Sequence, residues 1–474
     1  MIEARLFIDG SWQDGAQTNA LADRFTGARV ATVHQADAAQ VNAAVASARA
    51  AFEGGEIAIP DRYDILMRAR DILLRRKDEI IDAMVAETGY CVADNTGDFN
   101  RCVQTLLTSA EEAKRITGDI VPIDAAPGHG GQIAFTMRRP LGVVACITPF
   151  NSPLNTTAHK IAPALAAGNS VVLKPAGYTP LSAMLLSEVL EEAGVPAGWL
   201  NLINGSGGRI GQALVEHPDV SYIAFTGSEA AGRTIQAAAG LRRTQMELGS
   251  ISGTIICADG DLDRALAKCT ATAFRKSGQV CTSLQRLLVH EDVFDTFAEQ
   301  LTARADAMVV GDPRAEGTEI GVMITDGEAA RVKNWVDEAV AAGARQRTAR
   351  RLDGTALMPP TVLTNVTMDM KVMGEEIFGP VVCLIPFSDL DDAINMINDS
   401  PYGLAAGIFT RDIDAAFKAA RAVEVGLFNI NNASSNRADL MPYGGCKASG
   451  FGKEGPRAAI RDMTEERLIT LALN

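Results

Sequence analysis

Histidine is scarce in this chain, whose 474 residues include five histidines and three tryptophans. The eight cysteines are scattered without a C-x-x-C pair, which argues against zinc ligation and a disulfide framework. No uninterrupted apolar run reaches the ~18 residues that a membrane helix needs. The N-terminus lacks the basic and apolar regions of a secretory signal, so we expect a cytoplasmic protein with free thiols and no metal.

Basic residues are outnumbered by acidic ones, and the formal net charge is −14. This acidic balance opposes binding to nucleic acid or to an anionic membrane surface. Apolar residues make up 47% of the chain and charged residues 22%, as is usual for soluble globular proteins. A chain of this length exceeds what one hydrophobic core supports, so we expect two or more domains.

The apolar pattern changes character along the chain. Residues 36–117 have helical periodicity, and 61–89 is predicted to be one helix that ends at Gly89. From about Val143, short apolar runs alternate with helical stretches, which predicts an α/β fold with a parallel sheet. A second α/β block begins near Ser250.

Two stretches, 120–140 and 467–474, resemble strands without a local sheet partner. Because exposed strand edges usually pair, we expect subunit contacts there, in a homodimer or homotetramer.

Glycines after the third apolar run of the first block are consistent with a nucleotide site. They include Gly207 and Gly211, but Ile210 stands where a strict G-x-G-x-x-G needs glycine. The next run leads into Gly227 and Ser228 at a helix start, where backbone N–H groups could bind a pyrophosphate. A plain turn and a serine N-cap remain the alternatives. Two such turns, expected side by side in one sheet, favour a nucleotide.

Seven ordered motifs resemble the aldehyde dehydrogenase superfamily: "TPFNSPL" (148–154), "LKPAGYTP" (173–180), "FTGS" (225–228), "MELGS" (246–250), "GQVC" (278–281), "EEIFGP" (375–380) and "PYGGCKASGFGKEG" (442–455). The resemblance covers nearly the whole chain. It implies a Rossmann-like cofactor-binding domain (1–118 and 139–248), an α/β catalytic domain (249–456) and a small β oligomerisation element (119–138 and 457–474). Lys447, Ser449 and Gly450 resemble the family's supporting signature.

Cys281 in "KSGQVCTSLQR" is the candidate nucleophile, and no histidine lies within eight residues of it. A free thiol ionises weakly at neutral pH, so it needs assistance. Glu247 is the candidate base, since its apolar neighbours would raise its pKa toward the working pH. Asn151 would donate to the oxyanion. The alternatives are a buried apolar cysteine, a surface glutamate and a helix-capping asparagine.

These roles imply a sequence of covalent steps. Cys281 attacks the aldehyde, hydride transfer to NAD(P) leaves a thioester, and Glu247 activates the water that releases a carboxylate. Rival hypotheses are a coenzyme-A-acylating dehydrogenase, a thiol hydrolase and a non-catalytic binding or structural protein on the same fold. Glu247 argues against the first, because acylating relatives usually lack this base.

The resemblance also implies which residues contact the cofactor. Many NAD-dependent members carry glutamate where this chain has Gly177. Its absence lowers the electrostatic barrier to a 2′-phosphate, so we predict that NADP is accepted, even preferentially. The predicted cofactor-binding residues are Lys174, Ala176, Gly177, Gly207, Gly211, Phe225, Thr226, Gly227, Ser228, Leu248, Glu376 and Phe378.

The loop at 429–445 resembles the branch of the family that oxidises lactaldehyde, semialdehydes and phosphono- or sulfo-aldehydes. Arg101, His159 and Arg437 are the candidate substrate-binding residues, because arginine binds carboxylate, phosphonate or sulfonate bidentately. Surface arginines are the alternative. Val280 replaces an arginine found in some branch members, which weakens the case for a doubly charged phosphonate. We expect a short aldehyde with a carboxylate, hydroxyl or other compact anionic group.

Overall fold

The computed structural model describes residues 1–349 and 356–473. These residues form fifteen α-helices. The helices are α1 (Ala38–Glu53), α2 (Ile59–Arg75), α3 (Lys77–Thr88), α4 (Val92–Ala113), α5 (Pro153–Ala167), α6 (Pro180–Glu192), α7 (Gln212–Glu216), α8 (Glu229–Ala239), α9 (Leu262–Phe274), α10 (Glu291–Ala307), α11 (Asp326–Ala341), α12 (Lys371–Gly374), α13 (Leu390–Asn398), α14 (Ile413–Ala422) and α15 (Pro456–Asp462).

The same described residues form twenty-three strands in five sheets. The strands are β1 (Ile2–Ala4), β2 (Leu6–Ile8), β3 (Ser11–Gln13), β4 (Gln17–Ala22), β5 (Arg29–Gln35), β6 (Ile120–Val121), β7 (Gln132–Pro140), β8 (Val143–Ile147), β9 (Ser170–Lys174), β10 (Leu200–Leu202), β11 (Val220–Thr226), β12 (Arg243–Glu247), β13 (Ser252–Ile256), β14 (Leu284–His290), β15 (Arg345–Gln346), β16 (Thr361–Thr364), β17 (Val381–Phe387), β18 (Tyr402–Gly403), β19 (Ala405–Phe409), β20 (Leu427–Ile430), β21 (Cys446–Lys447), β22 (Gly450–Phe451) and β23 (Thr464–Ala472).

An eight-stranded sheet has the order β22-β12-β11-β8-β9-β10-β2-β3, and its five central strands run parallel. The chain winds outward through β8, β9 and β10 and then returns to the other side of β8 with β11. Ligands of such sheets bind beyond the carboxyl ends at this reversal. The expectation that the two glycine turns lie side by side is wrong. They follow β10 and β11, which β9 and β8 separate because of the reversal.

A seven-stranded sheet has the order β15-β16-β17-β14-β13-β19-β20 and is parallel from β16 to β20. It belongs to the second block predicted from the sequence. Central strands such as β8, β9, β13 and β19 are largely apolar and buried throughout, with helices packed on the sheets. The predicted α/β class, with a Rossmann-like first unit, is confirmed.

The two blocks share a strand pairing. Strand β22 lies antiparallel to β12, with Gly450 opposite Glu247 and Phe451 opposite Met246. A residue close to the end of the chain therefore supports the strand that carries the predicted base. The predicted domain boundaries stay a prediction, and residues 350–355 and 474 of those ranges lie outside the described residues.

A small sheet joins the two stretches expected to lack a local partner. They pair with each other instead, because β7 and β23 run antiparallel over nine residues, and β6 adds to β7. Since opposed residues share a face, one face of this sheet is mainly apolar, with Arg139, Glu465 and Arg467 at one end. We call its apolar part the apolar face; it consists of Ile120, Ile133, Phe135, Met137, Ile469 and Leu471. Ile120 is 84% exposed and Leu471 is 52% exposed.

The helix predicted over 61–89 is two helices, α2 and α3, which Arg76 separates. Arg76 has φ −96° and ψ 17°, outside the helical region, and its guanidinium bonds Glu79 and Glu188. The apolar periodicity of the sequence continues through position 76, so it does not reveal the break between the two helices. No helix among the described residues combines the length and apolarity needed to cross a membrane.

Candidate active site

A cavity of about 670 Å³ lies at the carboxyl ends of β8, β9, β11 and β12, where the order of the eight-stranded sheet reverses. The second block closes it with the loop before β14 and the segment after α12. Most of the predicted site residues line this cavity. They are Arg101, Asn151, Lys174, Ala176, Gly177, Gly207, Phe225, Thr226, Gly227, Ser228, Glu247, Leu248, Cys281, Glu376, Phe378 and Arg437.

The loop that carries Cys281 begins where α9 ends. Lys276, Ser277 and Gly278 all have positive φ, of 52°, 53° and 69°. A Cβ at Gly278 would lie 2.0 Å from the carbonyl oxygen of Gly379, so only glycine fits there. Three consecutive left-handed residues are costly, and such strain persists only where surrounding contacts hold it.

Lys276 supplies those contacts. Its buried ammonium donates to the carbonyl oxygen of Asn151 at 2.9 Å, to Ser152 Oγ at 2.8 Å and to Asp98 at 3.2 Å. Burial lowers the pKa of Lys276, while Asp98 raises it. One side chain thus connects the loop that carries Cys281, the loop that carries Asn151 and helix α4.

Cys281 is half-buried, and its Sγ lies 2.9 Å from the Tyr443 hydroxyl. Burial raises the pKa of the thiol, and the Tyr443 hydrogen bond lowers it. The carboxyl groups of Glu247 and Glu376 raise the pKa further, while Arg437 lowers it.

Glu247 ends β12 and is buried. Its Oε1 accepts a 3.2 Å hydrogen bond from Gln245, whereas Oε2 is buried without a partner among the described residues. Burial, followed by the charge of Glu454, raises the pKa of Glu247 well above its usual range. A raised pKa makes the ionised carboxylate a stronger base toward water.

Asn151 follows β8 and is buried at the cavity wall. Its side-chain amide donates a 2.9 Å hydrogen bond to the carbonyl oxygen of Gln279, two residues before Cys281. The amide is therefore held beside the nucleophile loop. It does not cap α5, whose N-cap position is Ser152.

The residues predicted to bind the cofactor form a site that fits a dinucleotide. Lys174 ends β9, and burial lowers its pKa to about 8; its ammonium donates only to the neighbouring Pro175 carbonyl among the described groups. Across the cavity, burial raises the pKa of Glu376 to about 7. No atom of the described residues lies within 4 Å of a Cβ added at Gly177, so the backbone is open to the cavity there. A buried cation, a buried carboxyl group and open glycine backbone suit phosphate and ribose groups.

The remaining cofactor predictions occupy specific places. Ser228 is the N-cap of α8, so its hydroxyl is engaged by the Ala231 N–H at 3.4 Å. Gly211 does not line the cavity wall. It packs beside Lys174, and a Cβ added at Gly211 would lie 3.5 Å from the Lys174 side chain. Phe378, with φ 46°, packs edge-on against Phe150 at 5.9 Å between ring centroids.

The predicted substrate residues separate into two groups. Arg101 and Arg437 line the cavity, but each already bonds a carboxylate, Asp439 at 2.8 Å and Glu454 at 2.9 Å. His159 does not line it. That side chain is 1% exposed and lies behind the wall, 2.9 Å from Asp439 and 3.0 Å from Arg437.

Four functional candidates were missed by reasoning from the sequence: Arg275, Lys276, Tyr443 and Glu454. Arg275 lines the cavity and donates to Ser435 at 2.5 Å. Among the described residues, no carboxylate lies within ion-pair distance of its guanidinium. Burial and then the nearby charge of Arg101 lower the pKa of Arg275, while the charge of Asp94 raises it. The basic pair just before "SGQVC" was an available signal for Arg275 and Lys276; Tyr443 and Glu454 lie in a quoted motif that was assigned no chemistry.

No group of three or more histidine, cysteine, aspartate or glutamate side chains is arranged to hold a metal within the described ranges.

Comparisons with known proteins agree with this geometry. A profile described as the aldehyde dehydrogenase family matches residues 12–469. A 3-sulfolactaldehyde dehydrogenase of Priestia aryabhattai is 46% identical over 468 residues, covering 99% of this chain and 98% of the relative. An aspartate-semialdehyde dehydrogenase 1 of Pseudomonas canavaninivorans is 40% identical over 410 residues, covering 86% and 87%.

A solved structure of another enzyme has a closely similar fold. The NADP-dependent glyceraldehyde-3-phosphate dehydrogenase of Bacillus halodurans C-125, complexed with NADP, has a TM-score of 0.97 and 33% identity, with both chains fully covered. An α/β fold in which a cysteine and a buried glutamate line one cavity between two largely parallel sheets is typical of a class of oxidoreductase. This chain belongs to the aldehyde dehydrogenase family. The resemblance predicted from the seven motifs is confirmed, and the enzyme is an NAD(P)-dependent aldehyde dehydrogenase.

Proposed function

We propose that this enzyme oxidises a short aldehyde bearing a carboxylate or sulfonate to the corresponding acid. The observation that carries the proposal is Arg275, a guanidinium at the cavity wall without a carboxylate partner among the described residues. Unpaired buried cations are costly, so a site that retains one is suited to an anionic ligand. The names of the sulfolactaldehyde and aspartate-semialdehyde relatives support the same substrate class.

Cys281, Glu247 and Asn151 are the proposed catalytic residues. The Cys281 thiolate attacks the aldehyde carbon, while the Asn151 amide hydrogen-bonds the oxygen that becomes negative. When bound, NAD or NADP supplies the hydride acceptor that makes oxidation to the thioester possible. Glu247 then takes a proton from water through its unpartnered Oε2, the water oxygen attacks the thioester carbon, and the C–S bond breaks.

Transfer of the acyl group to coenzyme A remains the alternative. The buried, raised-pKa Glu247 favours water, because a carboxyl group in this state is useful as a base for hydrolysis. Incubation with substrate, NADP and coenzyme A, followed by a search for acyl-CoA, separates the two acceptors.

Arg275→Met is the variant that tests the substrate class. It should lower kcat/KM for 3-sulfolactaldehyde or succinate semialdehyde by about a hundredfold, since a buried charge pair is lost, and leave kcat/KM for butanal nearly unchanged. Arg421→Met, an exposed arginine on α14, is the matched control. Equal losses of kcat/KM for anionic and neutral aldehydes in Arg275→Met would contradict the proposal.

A homo-oligomer is also part of this proposal. The apolar face of the small sheet is largely exposed in one chain, and a second copy of the chain is the partner that suits it. A cytoplasmic location stays a prediction from the cysteine pattern.

A further inference from the structure

Tyr443 is fixed next to the nucleophile by its backbone and its ring. Its N–H and carbonyl exchange two hydrogen bonds with Glu454, of 2.9 and 2.7 Å. The ring is buried against Leu404, Ala405 and Leu427. The hydroxyl, 2.9 Å from Cys281 Sγ, is thus placed by rigid surroundings rather than by a mobile side chain.

Arg437 makes that hydroxyl a stronger donor. Its guanidinium carbon lies 3.9 Å from the centre of the Tyr443 ring, and Glu454 holds the guanidinium in place at 2.9 Å. A cation over the face of a phenol withdraws electron density from the ring, which strengthens O–H donation. Arg437 therefore acts on Cys281 through Tyr443 as well as directly.

The nucleophile needs this help. No histidine side chain contacts Cys281 among the described residues. The negative charges of Glu247 and Glu376 disfavour ionisation of the Cys281 thiol. Tyr443 makes the hydrogen bond to Sγ that the structure describes. A thiolate is a hydrogen-bond acceptor, so the hydroxyl donates to it.

We propose that Tyr443 is a further catalytic residue, whose hydroxyl donates a hydrogen bond to the Cys281 sulfur whenever that sulfur carries negative charge. The sulfur carries negative charge when the thiol ionises to attack the aldehyde and again during thioester hydrolysis. In hydrolysis the water oxygen bonds to the acyl carbon, a water proton goes to Glu247, and the C–S electron pair stays on sulfur. Tyr443 keeps its own proton throughout. The inference rests on the proposed role of Cys281 as nucleophile.

Tyr443→Phe tests this role, because phenylalanine keeps the ring contacts and removes only the hydroxyl. Alkylation of Cys281 by iodoacetamide, followed by peptide mass spectrometry, needs no aldehyde and no cofactor. We expect alkylation of the variant to be about tenfold slower at neutral pH, the value of one hydrogen bond to a charged group. The pH profile of the alkylation rate should move to higher pH. Tyr222→Phe, a buried tyrosine outside the cavity wall, should behave like wild type.

A second measurement follows the hydrolysis step. Mass spectrometry of enzyme quenched during turnover should show more acylated Cys281 in Tyr443→Phe, because the departing sulfur is less stabilised. Thermal unfolding curves confirm that the variant is folded. An alkylation rate and pH profile equal to those of wild type would overturn the role of Tyr443. Full activity of Cys281→Ser would instead overturn the proposed nucleophile, so the two failures are distinguishable.

Discussion

The ammonium group of Lys276 donates a 2.9 Å hydrogen bond to the backbone carbonyl oxygen of Asn151. The contact joins the loop of the proposed nucleophile to the loop of the proposed oxyanion donor, and Asp98 on α4 neutralises the buried charge. Lys276 therefore sets the distance between two groups that must act on one carbonyl. Small errors in such a distance are costly in rate.

Lys276→Met should destabilise the protein by roughly 3 kcal/mol, because the buried Asp98 loses its ion-pair partner, and it should also lower kcat. The double variant Lys276→Met, Asp98→Asn removes both charges. We expect it to recover most of the stability in denaturant unfolding but not kcat, because the tether to Asn151 stays absent. Recovery of kcat together with stability would show that Lys276 has only a structural role.

Glu454→Gln should change the pH dependence of thioester hydrolysis. Glu247 works as a base only when ionised, so hydrolysis rises with pH through its pKa. Burial and then the Glu454 charge raise that pKa, while Lys160 and Arg437 lower it. Removing the Glu454 charge leaves Lys160 and Arg437 to lower the pKa of Glu247. The rise of the hydrolysis rate with pH should therefore occur at lower pH. Single-turnover hydrolysis of the acyl-enzyme measures this rise, and Glu247→Gln, which removes the base, should abolish it. A rise that stays in place or moves to higher pH contradicts the electrostatic coupling.

Gly177→Glu should shift cofactor use away from NADP. Among the described residues, Gly177 leaves room for a Cβ, and the resemblance to NAD-dependent members implies that a glutamate here repels the 2′-phosphate of NADP. We expect KM for NADP to rise at least about tenfold from like-charge repulsion, with a smaller effect on NAD. Gly177→Gln has the same size without the charge and serves as the control. If both variants change the NADP to NAD ratio equally, size rather than charge decides it; strict NAD use by the wild type would refute NADP acceptance itself.

Leu471→Arg should reduce the oligomeric state by placing a charge on the apolar face. Leu468→Arg is a close control, because Leu468 is similarly exposed but pairs with Thr136 on the opposite face of the sheet. Light scattering after size-exclusion chromatography gives the mass of each variant. Loss of assembly in both variants, or in neither, contradicts a contact through the apolar face.

Much of the fold follows from local patterns in the sequence. Buried strands such as β8 and β9 are short apolar runs, and the helices between them have clear periodicity. The order of strands within the sheet does not follow from local patterns. The return of β11 to the far side of β8 is set by the packing of segments that are distant in the sequence. That return placed the two glycine turns apart. The pairing of β7 with β23 joins residues more than 300 positions apart, which no local pattern records.

The candidate site divides in the same way. Cys281, Glu247 and Asn151 are visible as motifs, and the structure brings them to one cavity. Charge pairing is not visible: Arg437 looked like a free anion-binding arginine, whereas Glu454 engages it and Arg275 has no such partner among the described residues. Which arginine is neutralised depends on contacts between segments that are far apart in the chain.

The pairing of Gly450 with Glu247 has a consequence for synthesis on the ribosome. Strand β12 obtains its outer neighbour only after residue 451 has emerged, although Cys281 and Glu247 are made much earlier. A growing chain thus carries the Cys281 thiol without a completed strand pairing at Glu247 while residues 282–451 are made. Completion of the candidate site therefore has to wait until synthesis has passed residue 451, which keeps an unfinished polypeptide from presenting the whole catalytic arrangement.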